Sequence, residues 1–164
     1  MLAHDRLIEL LLYDPDSGVF MWRVSTSNRV KAGAKAGSIA KGKWGYIRIR
    51  IDNKEYRGHH LAWLYVHGEF PNKQIDHING VCGDNRILNL RLVSNAQNAY
   101  NSGLSKSNKT GYKGVHFSGS SYIATIHPHG ESKYIGSFKT AIQASQAYDR
   151  KALECYGEYA RTNR

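Results

Sequence analysis

Cysteine is nearly absent from this chain of 164 residues, and the two that occur, Cys82 and Cys155, stand far apart. Two such thiols form neither a structural zinc cluster nor a disulfide framework, and they suit a reducing compartment. Acidic residues are the second shortage: 13 Asp and Glu face 23 Lys and Arg, a formal net charge of +10. Long apolar runs are missing as well. The best of them, "LIELLLY" (Leu7 to Tyr13), is interrupted by Glu9. It is too short to span a bilayer and lacks the small-residue cleavage pattern of a signal peptide. The chain is therefore expected to work in the cytoplasm, with no membrane partner.

The basic excess is spread evenly. Residues 1–104 hold 14 Lys/Arg against 9 Asp/Glu and residues 105–164 hold 9 against 4, so each segment carries +5. Two basic segments, each with its own aromatics, imply a nucleic-acid footprint along the molecule rather than one solvating tail.

Residues 4–12 read as a short helix, and "YDPDSGVFMW" (Tyr13 to Trp22) as a Pro-Asp-x-Gly turn leading into a short strand. The Gly-, Ala-, Lys- and Ser-rich run from Ser25 to Lys43 reads as an irregular loop. In "GYIRIRIDNKEYRGHH", Ile47, Ile49 and Ile51 share one face of a strand. Arg48 and Arg50 take the other face, as candidate DNA contacts, and Asp52-Asn53 makes a hairpin turn. A helix is expected from His59 to Val66, stopping at Gly68. The stretch "NSGLSKSNKTG" (Asn101 to Gly111) has linker composition. Beyond it, strand-like runs at Tyr112 to Phe117, Tyr122 to His127 and Lys133 to Phe138 precede one long helix. Thr140 and Gln143 cap that helix at its start and Gly157 at its end. The fold class is α+β.

The densest chemistry lies in "QIDHINGVCGDNRILNLRLVSNAQN" (Gln74 to Asn98). Its pattern is strand, Gly-containing loop, a short strand "LRLV" (Leu90 to Val93), then a helix opened by a Ser94/Gln97 capping box. Asp76 and His77 end the first strand, and Asn98 falls one turn into the helix. Oxygen donors such as Asp76 and Asn98 suit Mg²⁺, with Mn²⁺ accepted in its place, and a neutral His suits a general base in phosphodiester hydrolysis. Asn89 is positioned to fix the His77 loop. Taken alone, an Asp-His pair is also an ordinary surface turn.

The segment "HHLAWLYVHGEFPNKQIDHINGVCGDNRILNLRLVSNAQNAYNS" resembles the HNH endonucleases of the phage homing type, with their ββα-metal fold. The resemblance implies that Asp76 and Asn98 are metal ligands, His77 the general base and Asn89 the residue that orients it. His59 matches an upstream His with a structural or phosphate-facing role. The leader segments "YDPDSGVFMW" and "GYIRIRID" also resemble those of phage members. The cysteine pairs that build a structural zinc site in some HNH enzymes are missing here.

The C-terminal segment "TGYKGVHFSGSSYIATIHPHGESKYIGSFKTAIQASQAYDRKALECYGEYARTN" is similar to the ethylene-response-factor (APETALA-type) DNA-binding domain. In that family a three-stranded sheet enters the major groove with a helix behind it. The corresponding DNA-facing positions are Lys113, His116, Thr125, His127 and Tyr134. Only Lys113 keeps a basic side chain, so few bidentate guanine contacts are available.

These readings give an HNH endonuclease domain over 1–104 (core motif 59–101), a linker at 105–111, and an APETALA/ethylene-response-factor-like domain over 112–164. That second domain is a small three-stranded antiparallel sheet packed on one helix. The implied function is Mg²⁺-dependent cleavage of double-stranded DNA with no small-molecule cofactor. A single catalytic module suggests a monomer that nicks, unless two chains pair on a symmetric site. If phage-encoded, the protein would act in the host cytoplasm. The alternative is a DNA-binding regulator with a non-catalytic HNH fold.

Overall fold

The computed structural model describes residues 1–40 and 44–163. The chain divides into two compact units, Met1–Val93 and Ser94–Arg164. The division falls ahead of the boundary expected at 104, so the helix after Ser94 groups with the C-terminal unit.

In the first unit, α1 (His4–Leu10) buries Leu7 and Leu10, then passes directly into β1 (Leu11–Asp14). The helix expected to reach residue 12 stops early because Leu11 and Tyr13 pair with Trp22 and Phe20 of β2 (Val19–Trp22). A third sheet element, β3 (Ser38–Ile39), pairs with β4 (Ile47–Ile51) inside the stretch expected to be loop, whose residues 41–43 lie outside the described residues. Strand β4 turns back through Asp52 and Asn53, both at positive φ (45° and 63°), into β5 (Lys54–Arg57). Asn and Asp tolerate that conformation better than other side chains. The alternation in β4 is the one expected: Ile49 and Ile51 are buried, Arg48 and Arg50 exposed. Helix α2 (Gly58–His67) follows without a gap and buries His59, Leu61, Ala62 and Leu64. Of these, Leu61, Ala62 and Leu64 join Leu7, Leu11, Phe20, Ile49 and Ile51 in one core. Fully burying each large apolar side chain contributes about 1.5–3 kcal/mol. Strands β6 (Gln74–His77) and β7 (Leu90–Val93) complete the unit as an antiparallel pair.

The second unit begins with α3 (Asn95–Tyr100), opened by a reciprocal capping box between Ser94 and Gln97. Strands β8 (Val115–Ser118), β9 (Ser121–Ile126) and β10 (Lys133–Phe138) form an antiparallel sheet with β9 in the centre. Helix α4 (Ala141–Tyr156) packs on it, Thr140 accepting the Gln143 N–H at its start. Val115, Ala124 and Ile126 from the sheet meet Ala144, Tyr148, Ala152 and Tyr156 from the helix. Small residues allow that close approach. Strand β8 starts later than the run at Tyr112 suggested, because Gly114 sits at φ +73°. A Cβ there would lie 2.0 Å from the Tyr148 ring. Tyr100 of α3 stacks on Tyr156 with ring centroids 3.9 Å apart and planes 10° from parallel.

Candidate active site

Strands β6 and β7 pair in the register Ile75↔Leu92, Asp76↔Arg91 and His77↔Leu90. Cross-strand partners point to the same face, and Arg91 uses that proximity: its Nε and Nη2 both donate to Asp76 Oδ2, at 3.0 and 2.9 Å. The Asp76 and Arg91 side chains are only 8% and 13% exposed. Arg91 was not among the residues singled out in the sequence. Its signal was the cross-strand register, legible only once the turn length between the strands is known.

The loop joining the two strands is closed by carboxamides. Asn89 Oδ1 accepts from the Asn79 N–H at 3.0 Å, while Asn89 Nδ2 donates to Asn79 Oδ1 (3.1 Å) and to the Asp84 carbonyl (2.9 Å). Asn79 Nδ2 donates to Asp84 Oδ2 at 2.7 Å, and Arg86 forks onto the same carboxylate. Backbone bonds from Ile78 N–H to the Asn89 carbonyl (2.9 Å) and from Gly80 N–H to the His77 carbonyl (2.8 Å) finish the closure. Asn89 thus ties the loop that leaves His77 on three side-chain bonds. The β1–β2 turn supports this loop from outside. Tyr13 donates its hydroxyl to the Asn85 carbonyl at 2.6 Å. Gly18, at φ +71°, lies where a Cβ would sit 2.4 Å from the Arg86 nitrogen.

His77 is 4% exposed and His59 3%. Their rings meet edge to face, centroids 5.0 Å apart, and Tyr46 contacts both, at 5.2 Å from His59 and 6.0 Å from His77. The Arg57 guanidinium lies 5.3 Å from the Tyr46 ring. Burial pushes His77 below the ordinary imidazole range, opposed by hydrogen bonding with Asn85 and by the charges of Asp76 and Asp84. His59 is driven down to about 2, first by burial and then by His60, His77 and Arg57. Its Nδ1 is buried with no hydrogen-bond partner among the described residues. Tyr46 is pushed up to about 12 by burial and by Cys82. Burial thus holds both imidazoles neutral, and a neutral ring nitrogen is the form that a general base requires.

Asp76, His77, Asn89 and His59 therefore gather in the first unit, while Asn98 lies half-buried on α3 in the second. His59, read in the sequence as a possible phosphate contact, is buried against His77. Arg48 and Arg50 are exposed on β4, Arg48 bonded to Glu55 at 2.6 Å. In the second unit, His116, Thr125 and Tyr134 stand on the sheet face opposite α4, since Thr125 pairs with Tyr134 and His116 with Ile123. His127 is exposed just past β9. Lys113 is not on that face. Its Nζ donates to the Tyr100 and Ser102 carbonyls at 2.5 and 2.7 Å, and burial with the nearby Arg161 charge lowers it to about 8. Among the described residues no three or more His, Cys, Asp or Glu side chains cluster as a metal site. No described helix is long and apolar enough to cross a membrane.

Residues 56–100 match the family model for the HNH endonucleases. Over 125 residues the chain is 33% identical to an uncharacterized HNH endonuclease of Acanthamoeba polyphaga mimivirus, covering 75% of this chain and 65% of that protein. The chain thus spans just under two thirds of that relative's length. Among solved structures it is similar to the HNH homing endonuclease I-HmuI, from a study of its DNA binding and cleavage. The identity there is 19% and the TM-score 0.41, over 84% of this chain and 76% of the other.

Proposed function

We propose that this protein is a Mg²⁺-dependent HNH endonuclease of the phage homing type that hydrolyses phosphodiester bonds in double-stranded DNA. The observation that carries the reading is the pairing of a buried, neutral His77 with an ion-paired Asp76 inside the HNH segment. His77 accepts the proton of the attacking water at a ring nitrogen. Asn89 holds the loop that fixes where that ring points. Asp76 and, from the motif, Asn98 are the protein's metal ligands. Both are hard oxygen donors, which Mg²⁺ favours and Mn²⁺ also accepts. Bound there, the ion would offset negative charge on the phosphate and stabilise the leaving oxygen. Arg91 holds the Asp76 carboxylate in place beforehand through two charge-assisted hydrogen bonds. Two protein oxygen ligands carrying one formal charge would leave most of the ion's charge to act on water and a phosphate oxygen.

The second unit supplies duplex contacts, through a sheet module of the ethylene-response-factor type whose open face carries His116, Thr125 and Tyr134. Arg48, Arg50 and His127 add exposed contacts on the two units.

A supercoiled-plasmid assay tests the reading. The parent chain should convert plasmid to nicked or linear form with Mg²⁺ and do nothing with EDTA. Binding with no conversion under any divalent ion would instead favour a DNA-binding regulator.

A further inference from the structure

The turn that follows the candidate base displays an apolar side chain in water. Leu88 is 86% exposed on the short 3₁₀ turn Ile87–Asn89, and Ile78, directly after His77, is 47% exposed. Leu88, Ile78 and Pro15 line one concavity of about 360 Å³ together with Asp16, Asn79, Arg86 and Asn89. Single exposed leucines are common. This one differs in its mounting. Ile87 N–H is bonded to the Pro15 carbonyl at 3.2 Å, Asn89 N–H to the Arg86 carbonyl at 2.9 Å, and the Asn89 side chain is tied on three bonds. A turn held at both ends presents Leu88 in one place, so little conformational entropy is lost when it meets a partner.

We propose that Leu88 is a wedge that enters a base-pair step of the bound duplex from the minor groove, next to the phosphate being cut. The inference rests on the nuclease reading above. Leu belongs to the side chains that unstack a step and kink DNA this way. The chain's net charge of +10 favours a polyanion over a protein as the occupant. Position fits as well. Leu88 stands two residues from Leu90, the cross-strand partner of His77. At 2.0–3.3 Å per residue, plus a cross-strand separation of about 5 Å, His77 lies within about 12 Å of Leu88, at most three or four base steps of about 3.4 Å. A wedge there would open the backbone at the reacting phosphate and favour flexible steps such as TA or CA, giving selectivity without base hydrogen bonds.

The test uses the full chain. Cleavage by the parent first maps the cut. His77→Ala then holds uncut duplexes carrying 2-aminopurine at successive positions across that cut. Fluorescence should rise severalfold at one position within about four base pairs of the cut. The rise should vanish in His77→Ala/Leu88→Ala and persist in His77→Ala/Leu88→Met. On the active background, Leu88→Ala should lower the cleavage rate roughly tenfold at an unchanged urea midpoint, the side chain being exposed. Equal fluorescence with and without Leu88, or no rise near the cut, overturns the wedge and leaves the nuclease reading intact. So does a Leu88-dependent dimer in DNA-free sedimentation, which would make this a protein face. A parent chain that neither binds nor cuts duplex DNA overturns both.

Discussion

Arg91 grips a single oxygen of Asp76 with two donors, Nε at 3.0 Å and Nη2 at 2.9 Å, across the β6–β7 pair. Removing one member of a buried pair strands the other charge, at about 3–5 kcal/mol when burial is complete. Arg91→Met should therefore destabilise the protein by about 3 kcal/mol in urea unfolding. Millimolar Mg²⁺ should restore part of that loss, because a bound cation supplies the missing positive charge and stabilises the folded state by mass action. A variant as stable as the parent, or one whose midpoint ignores Mg²⁺, would contradict this account of Asp76.

His77→Ala should lower the cleavage rate by at least about a hundredfold, the usual effect of losing a general base. Duplex affinity should stay within about twofold, since the side chain is buried and offers no phosphate contact. Single-turnover cleavage beside a binding titration checks both. A near-parental rate would remove His77 from the mechanism.

Asp76→Asn and Asn98→Ala should each raise the Mg²⁺ concentration needed for half-maximal cleavage. Asp76→Asn should be the more severe, because it deletes the only formal charge among the proposed ligands. Mn²⁺ should rescue part of each loss. Metal titrations of cleavage read this directly, and unchanged Mg²⁺ requirements in both variants would exclude them as ligands.

Acid should destabilise the first unit through His59. Folding holds this imidazole neutral by burial, pushed down to about 2 from an ordinary 6.5. The unfolded chain takes up the proton that the folded chain refuses. Stability is thus complete above about pH 6.5 and is lost as pH falls below it. His60 and His77 are shifted in the same direction, also by burial. His59→Phe, which keeps an aromatic ring beside Tyr46 and His77, should flatten the dependence by about 1.4 kcal/mol per pH unit between about pH 6 and 5. Urea midpoints across that range decide it; parallel slopes for parent and variant would mean that His59 is protonated in the fold.

Features written within a few residues were legible in advance. Asp52-Asn53 turns β4 into β5 because those two side chains tolerate positive φ, and Ser94 with Gln97 opens α3 because both halves of the box lie in one turn. Thr140 opens α4 for the same local reason. The misses are contacts between distant positions. Helix α1 ends at Leu10 because Leu11 finds Trp22, and no propensity within α1 announces that partner. Of the candidate site, the Asp76-His77 pair and the Asn89 loop tie were readable from the motif. The Arg91 grip and the burial of His59 against His77 depend on strand register and on where α2 packs. Lys113 is a DNA-facing position by the family resemblance, yet its ammonium is taken up by two carbonyls.

The stacking of Tyr100 on Tyr156 bears on how such a chain can be recombined. Helix α3, which carries Asn98 and closes the HNH match at residue 100, rests its last ring on the final residue of α4. A gene fusion that exchanged everything after the Ser- and Asn-rich segment would keep the motif letter for letter and still remove that support. An exchange of the C-terminal segment therefore requires a transplanted segment that brings its own aromatic for Tyr100, or a crossover placed upstream of Ser94.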